Sequence, residues 1–192
     1  SVEVRKGELE SVEREESRGL ALRALVGRRQ ASVSATDLSP AALKALSERV
    51  VAMARLAPED KYCGLAEASE IAREHPDLQL DCDDTPEADE LERRGRVMEE
   101  AAMAVPGIKQ MSHCGASWST SRSWLAASNG FFAHKTSGYS SMAAVAISER
   151  DGAMERDFES SSERTLAKHK SPEWIGAEAG RRSFGHRRRR LR

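Results

Sequence analysis

The spacing of apolar residues switches period along this chain, and the order of the switches constrains the fold more than any single motif does. Up to residue 37 the text is strand-like, with Val2, Val4, Leu9 and Val12 set among charges, and Leu20, Leu22 and Ala24 alternating with Ala21, Arg23 and Leu25. In "RRQASVSATDLS", Ala31, Val33 and Ala35 share one face while Ser32, Ser34 and Thr36 share the other, so one face packs and one is solvated. Glycines 7, 19 and 27 fall where turns are needed, which predicts a meander of strands.

At Ser39-Pro40 the period becomes helical. Ser39 is placed as an N-cap with Pro40 at the first helical position, and Leu43, Leu46, Val50, Met53 and Leu56 follow at helical spacing until Pro58. A loop-rich stretch comes next, with a short helix expected around Ala66 to Arg73. A second long helix is expected to open near Thr85-Pro86, to carry Leu91, Val97, Met98, Ala101, Ala102 and Val105, and to end at Pro106-Gly107.

From Ile108 to Glu159 the text is strand-like again. Asn129-Gly130 and Asp151-Gly152 are residue pairs that tolerate the positive φ angles of tight hairpin turns, so three or four antiparallel strands are expected. Ser171-Pro172-Glu173 then opens a last helix, with Trp174, Ile175 and Ala179 expected to face inward. Strand runs separated from helices, rather than strict alternation, give the α+β class. The expectation is a largely antiparallel sheet built from the N-terminal and C-terminal strand runs, with two long helices between them and a C-terminal helix.

The charge balance argues against a polyanion partner. Thirty Lys and Arg face 31 Asp and Glu, a formal charge of −1. Seven arginines and no acid lie within residues 181–192, leaving 23 basic against 31 acidic residues before them, a net of −8. An acidic body repels a phosphate backbone, so nucleic-acid binding would rest on the "SFGHRRRRLR" tail alone and is not expected to be the function. Its test would be salt-dependent binding lost with residues 183–192.

Hydrophobic residues make up 39% of the 192, which with their periodic placement suits a folded chain. No stretch approaches the ~20 apolar residues that cross a bilayer. Ser1-Val2-Glu3-Val4 opens in a strand pattern rather than a leader, and the cysteines at 63, 82 and 114 are odd in number, so the expected setting is the reducing cytoplasm.

Reaction machinery is absent from the text. There is no His-Glu-x-x-His, Cys-x-x-Cys, Gly-x-x-x-x-Gly-Lys or Gly-x-Ser-x-Gly, and the histidines at 75, 113, 134, 169 and 186 lie far apart. His113-Cys114 could form a metal pair or a thiolate with its base, but neighbours on a strand point to opposite faces. "DCDDTPE", residues 81–87, lacks the glycine and the distant glutamate of a calcium loop and reads as solvated helix-capping carboxylates. The serines of "SWSTSRS" and "SGYSS" read as a solvated sheet face. No catalytic, cofactor-binding or metal-binding residue is assigned.

Five stretches nevertheless occur together in order: "LESVEREESRGLALRALVGRRQASVSATDLS", "APEDKYCGLA", "ASNGFF", "DGAMERDFESSS" and "SPEWIGAEAGRR". Over residues 1–182 the chain resembles the N-terminal domain of the TldD/PmbA family, also called modulator of DNA gyrase, and within it the PmbA (TldE) branch. The resemblance implies a subunit of a cytoplasmic zinc metalloprotease made of two homologous chains, acting on peptides or unfolded protein. It implies zinc in a TldD-like partner subunit and none in this chain, whose sequence lacks the His-Glu-x-x-x-His signature. Alone, the chain is expected to be inactive, and the active-by-itself metallopeptidase is the rival that a zinc analysis would test. Residues 183–192 depart from the family pattern and read as a disordered basic tail on a truncated product, with a frameshift as one origin.

Overall fold

A computed structural model of the chain describes residues 1–82 and 85–190, with side chains up to residue 185. In chain order the elements are β1 (Val2–Arg5), β2 (Glu8–Val12), β3 (Leu20–Val26), β4 (Arg29–Ala35), α1 (Pro40–Leu56), α2 (Ala88–Met103), β5 (Ile108–Ala126), β6 (Phe132–Arg150), β7 (Ala153–Glu163), a 3₁₀ turn at Leu166–Lys168, and α3 (Pro172–Arg190). They group into two compact units, one of Ser1–Arg14, Pro76–Leu125 and Ala133–Arg192, the other of Glu15–His75 and Ala126–Phe132.

The first unit is a five-stranded sheet in the order β2-β1-β5-β6-β7 with α2 and α3 against one face. Alternation decides which residues face the helices. On β6, Met142, Ala144 and Ala146 are buried while Ala143, Val145 and Ile147 on the other face are only half-buried. Val2, Val4, Met111, Cys114 and Ala116 complete the sheet side of the core, and Leu91, Met98, Ala102, Ile175 and Ala179 the helix side. Ile175, fully buried, contributes on the order of 2 kcal/mol by leaving water. The helices lie very close, because Gly176 has no side chain where a Cβ would collide with the Met98 carbonyl.

The hairpin signal at Asp151-Gly152 is realised. Both residues take positive φ, 52° and 75°, and join Arg150 to Ala153 across the β6–β7 ladder. Ser171 also acts as read: its hydroxyl accepts from the Trp174 amide at 3.2 Å, with Pro172 opening α3.

The second unit packs α1 on a separate two-stranded antiparallel sheet, β3-β4. Ser39 caps α1, accepting from the Ala42 amide at 3.3 Å, and Leu46, Val50 and Ala54 form the buried stripe.

Four local expectations are corrected. The N-terminal strands are not one meander: β1 and β2 join the large sheet, while β3 and β4 pair only with each other. Residues 66–73 form an isolated turn closed by Glu67 and Glu70, not a helix; eight residues whose apolar positions are three alanines and one isoleucine are too short and bury too little to repay helix nucleation. α2 begins at Ala88, two residues beyond the expected proline, with no side-chain cap bond. Trp174 stays 37% exposed, its ring covered by the Lys170 ammonium at 3.8 Å.

α3 runs without interruption from the family-like "SPEWIGAEAGRR" to Arg190. Ser183 is buried in it, its hydroxyl donating to the Glu155 carbonyl at 2.9 Å and accepting from the Ser148 amide at 3.0 Å.

Candidate functional site

An open cavity lies in the first unit, where β1 leaves β5. β1 pairs with β5 at Val2↔Ala116 and Glu3↔Gly115. Immediately after Glu3 the β1–β2 register shifts, from Glu3↔Ser11 to Val4↔Leu9. A bulge of this kind bends and twists a hairpin. The hairpin then closes at Lys6-Gly7, whose φ values of 54° and 72° suit a tight turn.

Glu99, buried on α2, holds that turn. Its two carboxylate oxygens accept from the Lys6 and Gly7 amides, each at 2.7 Å. A buried carboxylate is costly unless its oxygens are satisfied, and two amide donors do this. Between the turn, α2 and the start of β5 is an open cavity of ≈ 780 Å³. Met103, Met111 and Ile147 give it an apolar part, and Arg5, Lys6, Arg96 and Lys109 a cationic one. Three of these cations have carboxylate neighbours, Arg5–Glu10 at 3.0 Å, Arg96–Glu92 at 2.5 Å with Glu92 half-buried, and Lys109–Glu149 at 3.4 Å.

A second, shallower hollow of ≈ 520 Å³ lies on the sheet, lined by Ser112, His113, Val145, Arg156, Asp157 and Phe158. His113 Nδ1 is 3.3 Å from Glu3, whereas Cys114 turns into the helix-side core. Burial pushes the Cys114 thiol up to about 12, so it is no nucleophile at neutral pH.

Other polar groups form structural clusters. Glu90 on α2 is held down to about 2, first by the Arg93 hydrogen bond and further by Arg94. Arg94 is itself buried, donating to Glu90 at 2.9 Å and to the Ser140 hydroxyl at 3.3 Å. Ser161 and His169 Nδ1 are 3.1 Å apart, a pairing the sequence reading missed, but neither lines either cavity. The serines read as a solvated sheet face include Ser117 and Ser141, whose hydroxyls meet at 2.8 Å. Of "DCDDTPE", Asp83 and Asp84 lie outside the described residues.

Metal ligation needs three or more converging donors. Among the described residues no such group of His, Cys, Asp or Glu occurs, so the residues present do not fit a zinc site. Among them, too, no helix is long and apolar enough to cross a membrane.

Comparison with known proteins bears on this arrangement. Residues 1–54 match the domain described as PmbA/TldA metallopeptidase domain 1, and residues 81–184 the PmbA/TldA metallopeptidase central domain. The chain is 30% identical over 191 residues to Metalloprotease PmbA of Escherichia coli, covering 96% of this chain and 41% of that one. It is 28% identical over 189 residues to the Metalloprotease PmbA homolog of Haemophilus influenzae, covering 95% and 41%. It thus spans about two fifths of the length of these curated relatives. Its fold is that of a protein named as a modulator of DNA gyrase from Bacteroides thetaiotaomicron, with a TM-score of 0.84 at 21% identity over 95% of this chain and 42% of that one. It is also that of TldE from Thermococcus kodakarensis, with a TM-score of 0.74 at 16% identity over 95% and 41%. With both domain matches in order along one chain, this protein belongs to the PmbA/TldD family.

Proposed function

We propose that this chain acts as the amino-terminal part of a non-catalytic PmbA/TldE-like subunit in a two-chain zinc metalloprotease of the cytoplasm. In this reading it pairs with a homologous TldD-like chain, which holds the zinc, and forms part of the wall of a cleft that admits peptides or unfolded protein. The observation that carries the reading is the likeness of nearly the whole chain to proteins named as PmbA metalloproteases. Two others support it. No three His, Cys, Asp or Glu converge as a metal site needs among the described residues, which is consistent with a subunit that does not itself hold the zinc, and none of the three cysteines is in a disulfide, which suits a reducing compartment.

Its chemistry would therefore be recognition and positioning. Backbone edges bind extended peptides without regard to sequence, which suits a protease acting on unfolded chains. The test is co-expression with a TldD-like chain and purification through a tag on that chain. Recovery of this chain in a fixed ratio supports the reading, and its absence from the purified material rules the pairing out.

A further inference from the structure

We propose that Asn129, at the tip of the β5–β6 hairpin, is a spontaneous deamidation site guarded by the fold, and that its conversion to a carboxylate frees the tip from the Ala66 segment irreversibly, whether or not the chain pairs as proposed above.

The chemistry belongs to Asn129-Gly130. With no Cβ on the following residue, the backbone nitrogen of an Asn-Gly pair reaches the asparagine side chain more easily than in any other pair. The deprotonated Gly130 nitrogen attacks Asn129 Cγ and closes a five-membered succinimide, and the side-chain nitrogen takes up a proton and leaves as ammonia. Water then opens the ring at either carbonyl, so that aspartate or isoaspartate replaces the amide. Gly130 takes a φ of 92° and has open space at the Cβ position, so no neighbour crowds it.

Hydrogen bonds, not bulk, keep the reacting atoms apart. Asn129 Nδ2 donates to the Ala66 carbonyl at 3.0 Å, Asn129 Oδ1 accepts from the Phe131 amide at 3.2 Å, and the Gly130 amide donates to the Ala127 carbonyl at 3.0 Å. The Phe131 ring adds to this clasp by meeting His75 edge-on, with centroids 6.0 Å apart. Ala66, His75 and residues 126–132 all belong to the second unit. Attack requires the side chain to leave Ala66 and Phe131 and the Gly130 amide to leave Ala127, so the reaction proceeds only from a locally opened tip. Once it has happened the clasp does not re-form. A carboxylate has no N–H for the Ala66 carbonyl and sets an acceptor against it, and isoaspartate also lengthens the backbone by a methylene.

The purified chain and the free peptide AASNGFFA, residues 126–133, are incubated side by side in mildly alkaline buffer, and conversion is followed by peptide mapping with mass spectrometry. Conversion at Asn129 is expected to be slower in the folded chain by about tenfold or more, with the difference abolished in guanidinium. His75→Ala, which removes the ring partner of Phe131, should move the folded chain toward the peptide's rate. Asn129→Asp, and equally the deamidated fraction separated by ion exchange, should show faster amide exchange at Ala127 and Gly130. A folded chain that converts as fast as the peptide, or an unfolded chain that does not convert, would overturn the guarded site. Exchange at Ala127 and Gly130 unchanged in the deamidated fraction would overturn the release.

Discussion

Glu99 and Gly7, separated by 92 residues, are joined at 2.7 Å by a hydrogen bond from a turn amide to a buried carboxylate, and the neighbouring Lys6 amide meets the other oxygen. This contact fixes the hairpin against α2. Glu99→Gln keeps the volume but turns an NH₂ group toward one amide, so that donor loses its acceptor. The expected cost is about 1–3 kcal/mol in urea denaturation, with faster amide exchange at Lys6 and Gly7. An unchanged midpoint would show that the turn holds itself.

The α2–α3 crossing depends on Gly176. Alanine there would gain about 1 kcal/mol of helix propensity, yet its Cβ meets the Met98 backbone, which cannot rotate away. Overpacking against backbone is expected to win, for a net loss of about 1–3 kcal/mol. Gly185 in the same helix has open space at the Cβ position, so Gly185→Ala should be neutral or stabilising. Thermal unfolding of the two variants reads the difference, and equal midpoints would contradict the close crossing.

The thiols should divide by burial. Cys63 and Cys82 are half-buried, while Cys114 is buried and its thiol pushed up to about 12. Ellman's reagent at neutral pH should modify the first two in the folded protein and the third only on unfolding. Rapid modification of all three under native conditions would refute the packing of β5 under the helices.

Acid sensitivity follows from Glu90, whose carboxyl is lowered from 4.5 to about 2. A group lowered on folding stabilises above its unfolded value, and that contribution is lost as pH falls from about 4.5 toward 2. Glu90 is partly exposed, so after screening the loss is about 1 kcal/mol. Glu90→Gln should flatten the stability curve in that window by about this amount, and an unchanged acid limb would show that the pairing adds nothing.

What could be read from sequence was whatever is local. Ser39-Pro40, Ser171-Pro172 and Asp151-Gly152 carry their mechanism within a few residues, and α1, α3 and the β6–β7 turn lie where they indicate. Partnership was not legible: β3 and β4 alternate as β1 does, yet β1 and β2 enter the large sheet while β3 and β4 pair with each other. The role of Glu99 was hidden for the same reason, since its partners lie at the far end of the sequence. One signal was available, because Leu91, Gly95, Met98 and Ala102 trace the buried stripe of α2 and place Glu99 beside it. The cavity had no sequence signal, since it arises from a register shift that no residue pattern announces.

Zinc titration of the purified 192-residue chain, with a parallel peptide-hydrolysis assay, tests the proposed role of recognition without cleavage most directly. The account predicts no stoichiometric zinc and no cleavage by this chain alone. One zinc per chain together with zinc-dependent cleavage would contradict it.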